Sequence, residues 1–394
     1  MAITDKEQGV WGLEEVYNKI NQGSIWDYDG STQLFTFGWN SKGQLGNNEN
    51  GDSGGNYSSP VQVPGTTWNA LSTWVSGDSW HSLASKTDGT LWVWGGNAKG
   101  ELGLNNTTQY SSPVQLPGTT WGTELRSGQE ASYALKTDGS LWSWGDNSPS
   151  YGELGHNNKT NYSSPKQVGT DTTWSNITTM GYGCIAKKTD GTLWTWGADS
   201  QGMLGQNGGG AISSPKQVGT DTTWTGDITG GMQFGAAIKT DGALWMWGVN
   251  EYGMLAQNSL TKYSSPRQVG TDTTWSNISS TMVSVAAVKT DGTLWTWGFG
   301  GEGRLGHNQG EPSQYSSPVQ IPGTTWSRVQ GGGYNMYATK TDGTLWAWGS
   351  GNQGQLGNNN QVNQSSPIQV PGSWKSEANK IGTNYIGASA ISNT

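Results

Sequence analysis

The sequence predicts an all-β chain: a seven-bladed β-propeller of four-stranded blades, closed by strands from both ends, with a short N-terminal helix. Three observations predict it. A block containing Leu-Trp-x-Trp-Gly recurs along almost the whole chain. Each block reads as four short extended runs separated by turn residues. The two chain ends carry complementary parts of one block.

Composition sets the bounds. Of 394 residues, 62 are Gly and 24 are Trp, with only four Phe. So much large aromatic surface can offset chain entropy, which argues for a packed domain over a disordered one. No apolar run of about 18 residues marks a membrane span. Lys+Arg number 21 against Asp+Glu 29, a net charge of −8. That balance, without a basic tract, argues against nucleic-acid binding. Cys184 is alone, so no disulfide forms within the chain; an inert core thiol is expected. Residues 1–22 mix charges and lack an apolar core, so no Sec-type signal peptide is expected and synthesis places the protein in a cytoplasm.

The chain divides into a leader, residues 1–30, and a repeat domain, residues 31–394. In the leader, Leu13, Val16, Tyr17 and Ile20 fall at helical spacing, and Gly23 ends a helix of about ten residues. So short a helix is marginal alone and must dock on something.

The repeat begins with Leu34-Phe35-Thr36-Phe37-Gly38. Leu-Trp-x-Trp-Gly follows from Leu91, Leu141, Leu193, Leu244, Leu294 and Leu345. Ser-Ser-Pro ends at Pro60, Pro113, Pro165, Pro215, Pro266, Pro318 and Pro367. A third landmark is a Trp after Thr or Ser, from Trp68 to Trp374. Lys-Thr-Asp-Gly links two β-rich runs six times, with Asp at 88, 138, 190, 241, 291 and 342. Asp-Gly there predicts a type I′ hairpin, with positive φ at both residues. Within Leu91-Trp92-Val93-Trp94 alternate residues face opposite ways and both faces are apolar, as for a sheet packed between two others.

The ends argue for a ring. The first block lacks the strand before its Leu34 run, while the tail, residues 386–391, resembles that strand. Pairing of 386–391 with 34–37 would close the ring and remove a free edge. An open array would instead need polar capping repeats.

The blocks KTDGTLWTWG, GQLGNN and YSSPVQVPG resemble the RCC1-type repeat of chromosome-condensation regulators, over about residues 31–394. The resemblance implies a seven-bladed propeller. It does not fix an activity, because that family includes nucleotide-exchange factors, a plant ultraviolet receptor and a bacterial β-lactamase inhibitor protein. The basic tail of the exchange factors has no counterpart here. Neither has the receptor's Gly-Trp-Arg-His-Thr repeat; the arginines are Arg126, Arg267, Arg304 and Arg328 alone.

Catalysis finds little footing, and no enzyme activity, cofactor or metal is expected. His156 and His307 share a repeat position that elsewhere holds Asn, Leu or Gln, which marks a loop site. Positions that vary between copies are free of the fold's demands, so a binding face is expected just before the Lys-Thr-Asp-Gly strand. Its candidates are Trp80, His81, Glu130, Tyr182, Phe234, Tyr334 and Tyr385.

The leader GVWGLEEVYNKINQGSIW resembles leaders of tailed-phage structural proteins. That resemblance implies an attachment helix of Trp11, Leu13, Val16, Tyr17 and Ile20 bound to other virion proteins. The expected function is a non-enzymatic virion component, a tail fibre, receptor-binding or decoration protein made in the host cytoplasm. Its propeller face would adhere to a host surface glycan or protein, with no nucleic-acid partner and no membrane insertion. The alternative is a bacterial RCC1-like interaction or inhibitor propeller that binds one protein partner.

Overall fold

The structure is a computed structural model and describes residues 32–49, 55–73, 80–147, 150–308, 314–384 and 386–392. The expected attachment helix and Tyr385 lie outside the described residues. Twenty-eight described strands form seven four-stranded antiparallel sheets. In blade 1 the innermost strand is Trp68–Leu71, followed outward by His81–Lys86, Leu91–Gly95 and Tyr110–Leu116. Blades 2 to 6 repeat this order and end at Gln167, Gln217, Gln268, Ile321 and Val370.

Blade 7 closes the ring. Its two inner strands, Ile381–Asn384 and Gly387–Ile391, come from the C-terminus; its two outer strands, Leu34–Gly38 and Tyr57–Val63, come from the N-terminus. Leu34 pairs with Ile391 and Phe37 with Ala388, joining the two segments expected to close the ring. The C-terminal contribution is two strands where one was expected. Hydrogen bonds complete the circle: Leu71 N–H donates to Asn379 O at 2.9 Å, and Thr383 Oγ1 to Gly331 O at 3.0 Å.

The core lies between blades. Trp94, Trp144, Trp196, Trp247, Trp297 and Trp348 are fully buried. Each indole N–H donates to a carbonyl in the Gly-rich loop of the preceding blade; Trp196 Nε1 meets Glu153 O at 2.8 Å. Beneath five of the six indoles the loop places a left-handed glycine in close contact, and beneath Trp297 it places Ala256. Gly103 has φ +70°, and a Cβ there would lie 2.9 Å from Trp144 Nε1. Phe37 takes the tryptophan's place in blade 7, above Gly357.

The hairpin turns differ from expectation. Gly89 N–H donates to Lys86 O and Lys86 N–H to Thr90 O. Positive φ falls on Gly89 (φ 78°) but not on Asp88. This is a three-residue loop ending in a left-handed glycine, with its bulge, not a two-residue type I′ turn. Asp88 Oδ1 accepts from Thr90 N at 3.0 Å and Oγ1 at 2.7 Å, and Thr90 Oγ1 accepts from Trp92 Nε1 at 2.9 Å. The aspartate thus anchors the turn and the first Trp of the next strand. The outermost strands carry Ser-Ser-Pro at a break in register, as between Val93 and Gly95 of the neighbouring strand, so they present poor edges for pairing with another sheet.

Candidate functional site

Antiparallel order gives the ring two unlike faces. One holds the Lys-Thr-Asp-Gly turns and the connections between blades. There each turn lysine lies over two tryptophans, as Lys188 does over Trp174 at 4.8 Å and Trp194 at 3.8 Å. The same sandwich recurs at Lys86, Lys136, Lys239, Lys289 and Lys340. Two kinds of connection serve it. In blades 3 to 5, Asp171, Asp221 and Asp272 meet the lysines at 2.5–2.6 Å. Burial pushes the Asp171 carboxyl up, but Lys188 and Thr173 outweigh it and hold it at about 2. Leading into blades 1, 2 and 6, a Pro-Gly connection instead offers a carbonyl to the indole, as Pro117 O does to Trp121 Nε1 at 3.3 Å. Six near-copies make this face part of the scaffold.

The opposite face varies. It carries the loops from the first to the second strand of each blade, and the Gly-rich loops after the third. His81 pairs with Gly95, so these two loop sets lie side by side. Four aromatic contacts join neighbouring blades here. Trp39 meets Trp80 at 4.8 Å, Tyr151 meets Tyr182 at 5.0 Å and Tyr252 meets Phe299 at 4.9 Å. Arg304 lies 4.9 Å over Tyr334.

Of the expected binding residues, Trp80, Glu130, Tyr182 and Tyr334 stand on this loop face at equivalent positions. His81 and Phe234 do not. Each opens the second strand of its blade and is buried in the core. His81 Nε2 lies 2.7 Å from Ser132 Oγ, bridging blades 1 and 2, and burial lowers its pKa to about 3. The residue equivalent to Trp80 in blade 4 is Gln233, and beside it Met232 is exposed.

The remaining histidines serve the loops. His156 Nε2 lies 3.0 Å from Ser143 Oγ, and His307 Nε2 2.8 Å from Thr296 Oγ1. Gln206 makes the same bond to Thr195, which explains why the position accepts Gln. Cys184 is buried, and burial pushes its thiol well up. Among the described residues no group of three His, Cys, Asp or Glu could hold a metal ion. No described helix is long and apolar enough to cross a membrane.

One feature was missed from sequence. The central channel is bridged by polar side chains around a cavity of about 230 Å³. Glu124 accepts from Arg126 at 3.1 Å and from Asn379 at 2.9 Å. Asp227 accepts from Asn277 at 2.6 Å and from Arg328, two blades on, at 3.4 Å. The signal was a polar residue just before the Leu, Ile or Val of the innermost strand in blades 2 to 6: Glu124, Asn176, Asp227, Asn277 and Arg328.

The model of the RCC1-like domain matches residues 25–326. The chain belongs to the RCC1-like domain family. The model of the regulator of chromosome condensation (RCC1) repeat also matches residues 342–381. A relative is the ultraviolet-B receptor UVR8 of Arabidopsis thaliana, 27% identical over 308 residues, 75% of this chain and 69% of that protein. Human WBSCR16 superposes with a TM-score of 0.78 at 20% identity, covering 92% of this chain and 99% of that one. Prp20p of Saccharomyces cerevisiae, whose structure was described with its binding to Gsp1p and histones, gives 0.79 at 17% identity and 92% coverage of both. At these identities the solved structures show a shared fold. None of these RCC1-like relatives lends support to the phage-like leader.

Proposed function

We propose that this RCC1-like propeller is a non-enzymatic protein-interaction module whose loop face binds one protein partner. The observation that carries this is the placement of exposed apolar side chains. All five large exposed hydrophobics among the described residues stand on loops of that face, and Tyr182, Met232 and Tyr252 group in the adjacent blades 3 and 4. Grouped exposed apolar residues mark interaction sites, whereas scattered ones do not. The repeated face leaves no such freedom, because its lysines, aspartates and tryptophans hold the turns. The relatives support the reading: UVR8 is named a receptor, and Prp20p is described with protein partners. A virion role draws no comparable support.

Crosslinking mass spectrometry tests the face. Met232→Lys should remove the partner's crosslinks, while Thr119→Lys, on an exposed connection of the repeated face, should leave them. Loss with Thr119→Lys alone would place the interaction on the wrong side of the ring for this reading.

A further inference from the structure

On the loop face, blades 2 to 4 enclose a cleft of about 190 Å³ lined by Tyr151, Tyr182, Met203, Met232 and Gln233. The Tyr151 and Tyr182 rings lie 5.0 Å apart at 36° and form one wall. Met232 stands on a fixed loop, its N–H donating to Met282 O at 2.9 Å. The loop beside it approaches closely: a Cβ on Gly181 would lie 2.5 Å from Met232 O. The cleft is therefore built before any partner arrives.

Its surroundings are acidic. Burial is the largest influence raising the Tyr182 hydroxyl pKa; Glu130 and Glu153 raise it further, while a bond from Gln129 lowers it. Asp146 joins Glu130 through Lys99, whose Nζ lies 3.9 Å from Asp146 and 4.0 Å from Glu130. Two carboxylates, Glu130 and Glu153, thus act on the Tyr182 hydroxyl from outside the cleft lining, and Lys99 stands against Glu130 and Asp146.

We propose that this cleft is the socket for one arginine side chain of a protein partner. The proposal rests on the reading of the loop face as the interaction surface. Size argues against a free small molecule, since such pockets run to roughly 300–1,000 Å³. A single anchoring side chain suits the volume, and arginine is enriched among such anchors. Its methylene stem lies against Tyr and Met surface, as amphipathic side chains do. Its planar guanidinium stacks on a tyrosine ring, in the negative field of Glu130 and Glu153. An aliphatic anchor leaves the carboxylates unused, and an acidic one is repelled.

The test uses the full chain and a fluorescein-labelled nonapeptide, Gly-Ser-Gly-Leu-Arg-Leu-Gly-Ser-Gly, read by anisotropy. Its citrulline and norleucine versions keep the shape of the arginine or its stem without the charge. The arginine peptide should bind at least about tenfold more tightly than either, and added salt should weaken it. Met232→Lys should abolish binding, and Thr119→Lys should leave it unchanged. Equal binding of the norleucine peptide would overturn the arginine socket while leaving the loop face as an interaction surface. No binding at about 1 mM peptide, or binding indifferent to Met232→Lys, would overturn the socket itself. The crosslinking experiment decides the face independently.

Discussion

Trp245 Nε1 is buried without a hydrogen-bond partner among the described residues, and the residue that deprives it is Ala243. In blades 1, 2, 3, 5 and 6 a Thr or Ser at that place accepts from the indole and donates to the turn aspartate, as Thr293 does between Trp295 and Asp291. Ala243 keeps only the backbone bond to Asp241. Ala243→Thr should therefore stabilise the protein by about 1 kcal/mol, and Thr293→Ala should destabilise it by about 1–2 kcal/mol. Denaturant midpoints of the two variants check this; a loss in both would show that the hydroxyl chain is not what matters.

Blade 4 carries a second departure. Ala256 holds φ +55° where the equivalent residues Gly205 and Gly306 hold +68° and +75°. A side chain in that region is strained, though glycine also loosens the unfolded chain. Ala256→Gly should raise the thermal midpoint, by about 0.5–1 kcal/mol of net stability. An unchanged or lower midpoint would mean the alanine methyl earns its place by packing.

Stability should fall on acidification before the carboxylates titrate. His81 is held neutral by burial, with its pKa near 3, and His156 is lowered to about 4 by burial and by Lys166. Both values lie below the unfolded value near 6.5. The unfolded chain then binds more protons as pH drops below about 6.5, so stability is full above that pH and is lost toward pH 4 and below. In His81→Gln the slope of stability between pH 6.5 and 4.5 should be shallower than in the parent. An identical slope would remove His81 from the account.

Phe37 shows what the inter-blade tryptophan position tolerates. Trp196→Phe should cost about 1 kcal/mol, chiefly the lost bond to Glu153 O, which still accepts from the Tyr133 hydroxyl at 3.0 Å. Trp196→Ala should cost about 3–5 kcal/mol through the cavity. Thermal melts of the two variants distinguish hydrogen bonding from volume.

Sequence reasoning reached the ring because each landmark has a mechanical task that recurs. The tryptophans fill the gaps between blades, the aspartates anchor the turns, and the tail completes the blade begun by Leu34. It erred where one residue decides the outcome. Side chains alternate along a strand, so a step of one position exchanges surface for core. That step separates Trp80 from His81 and Gln233 from Phe234. The Asp-Gly pair did not reveal its turn type, because a three-residue loop also needs a left-handed glycine. The channel bridges were hidden because Glu124 and Asn379, or Asp227 and Arg328, meet only once the circle is formed.

The central claim is that both chain ends build one shared blade, and removal of residues 386–394 tests it most directly. Thermal unfolding of that truncated chain should show a large drop in midpoint or loss of a cooperative transition, because it strips the pairing partner of Leu34–Gly38 and reopens the ring. A truncated chain that melts like the full-length protein would contradict the claim.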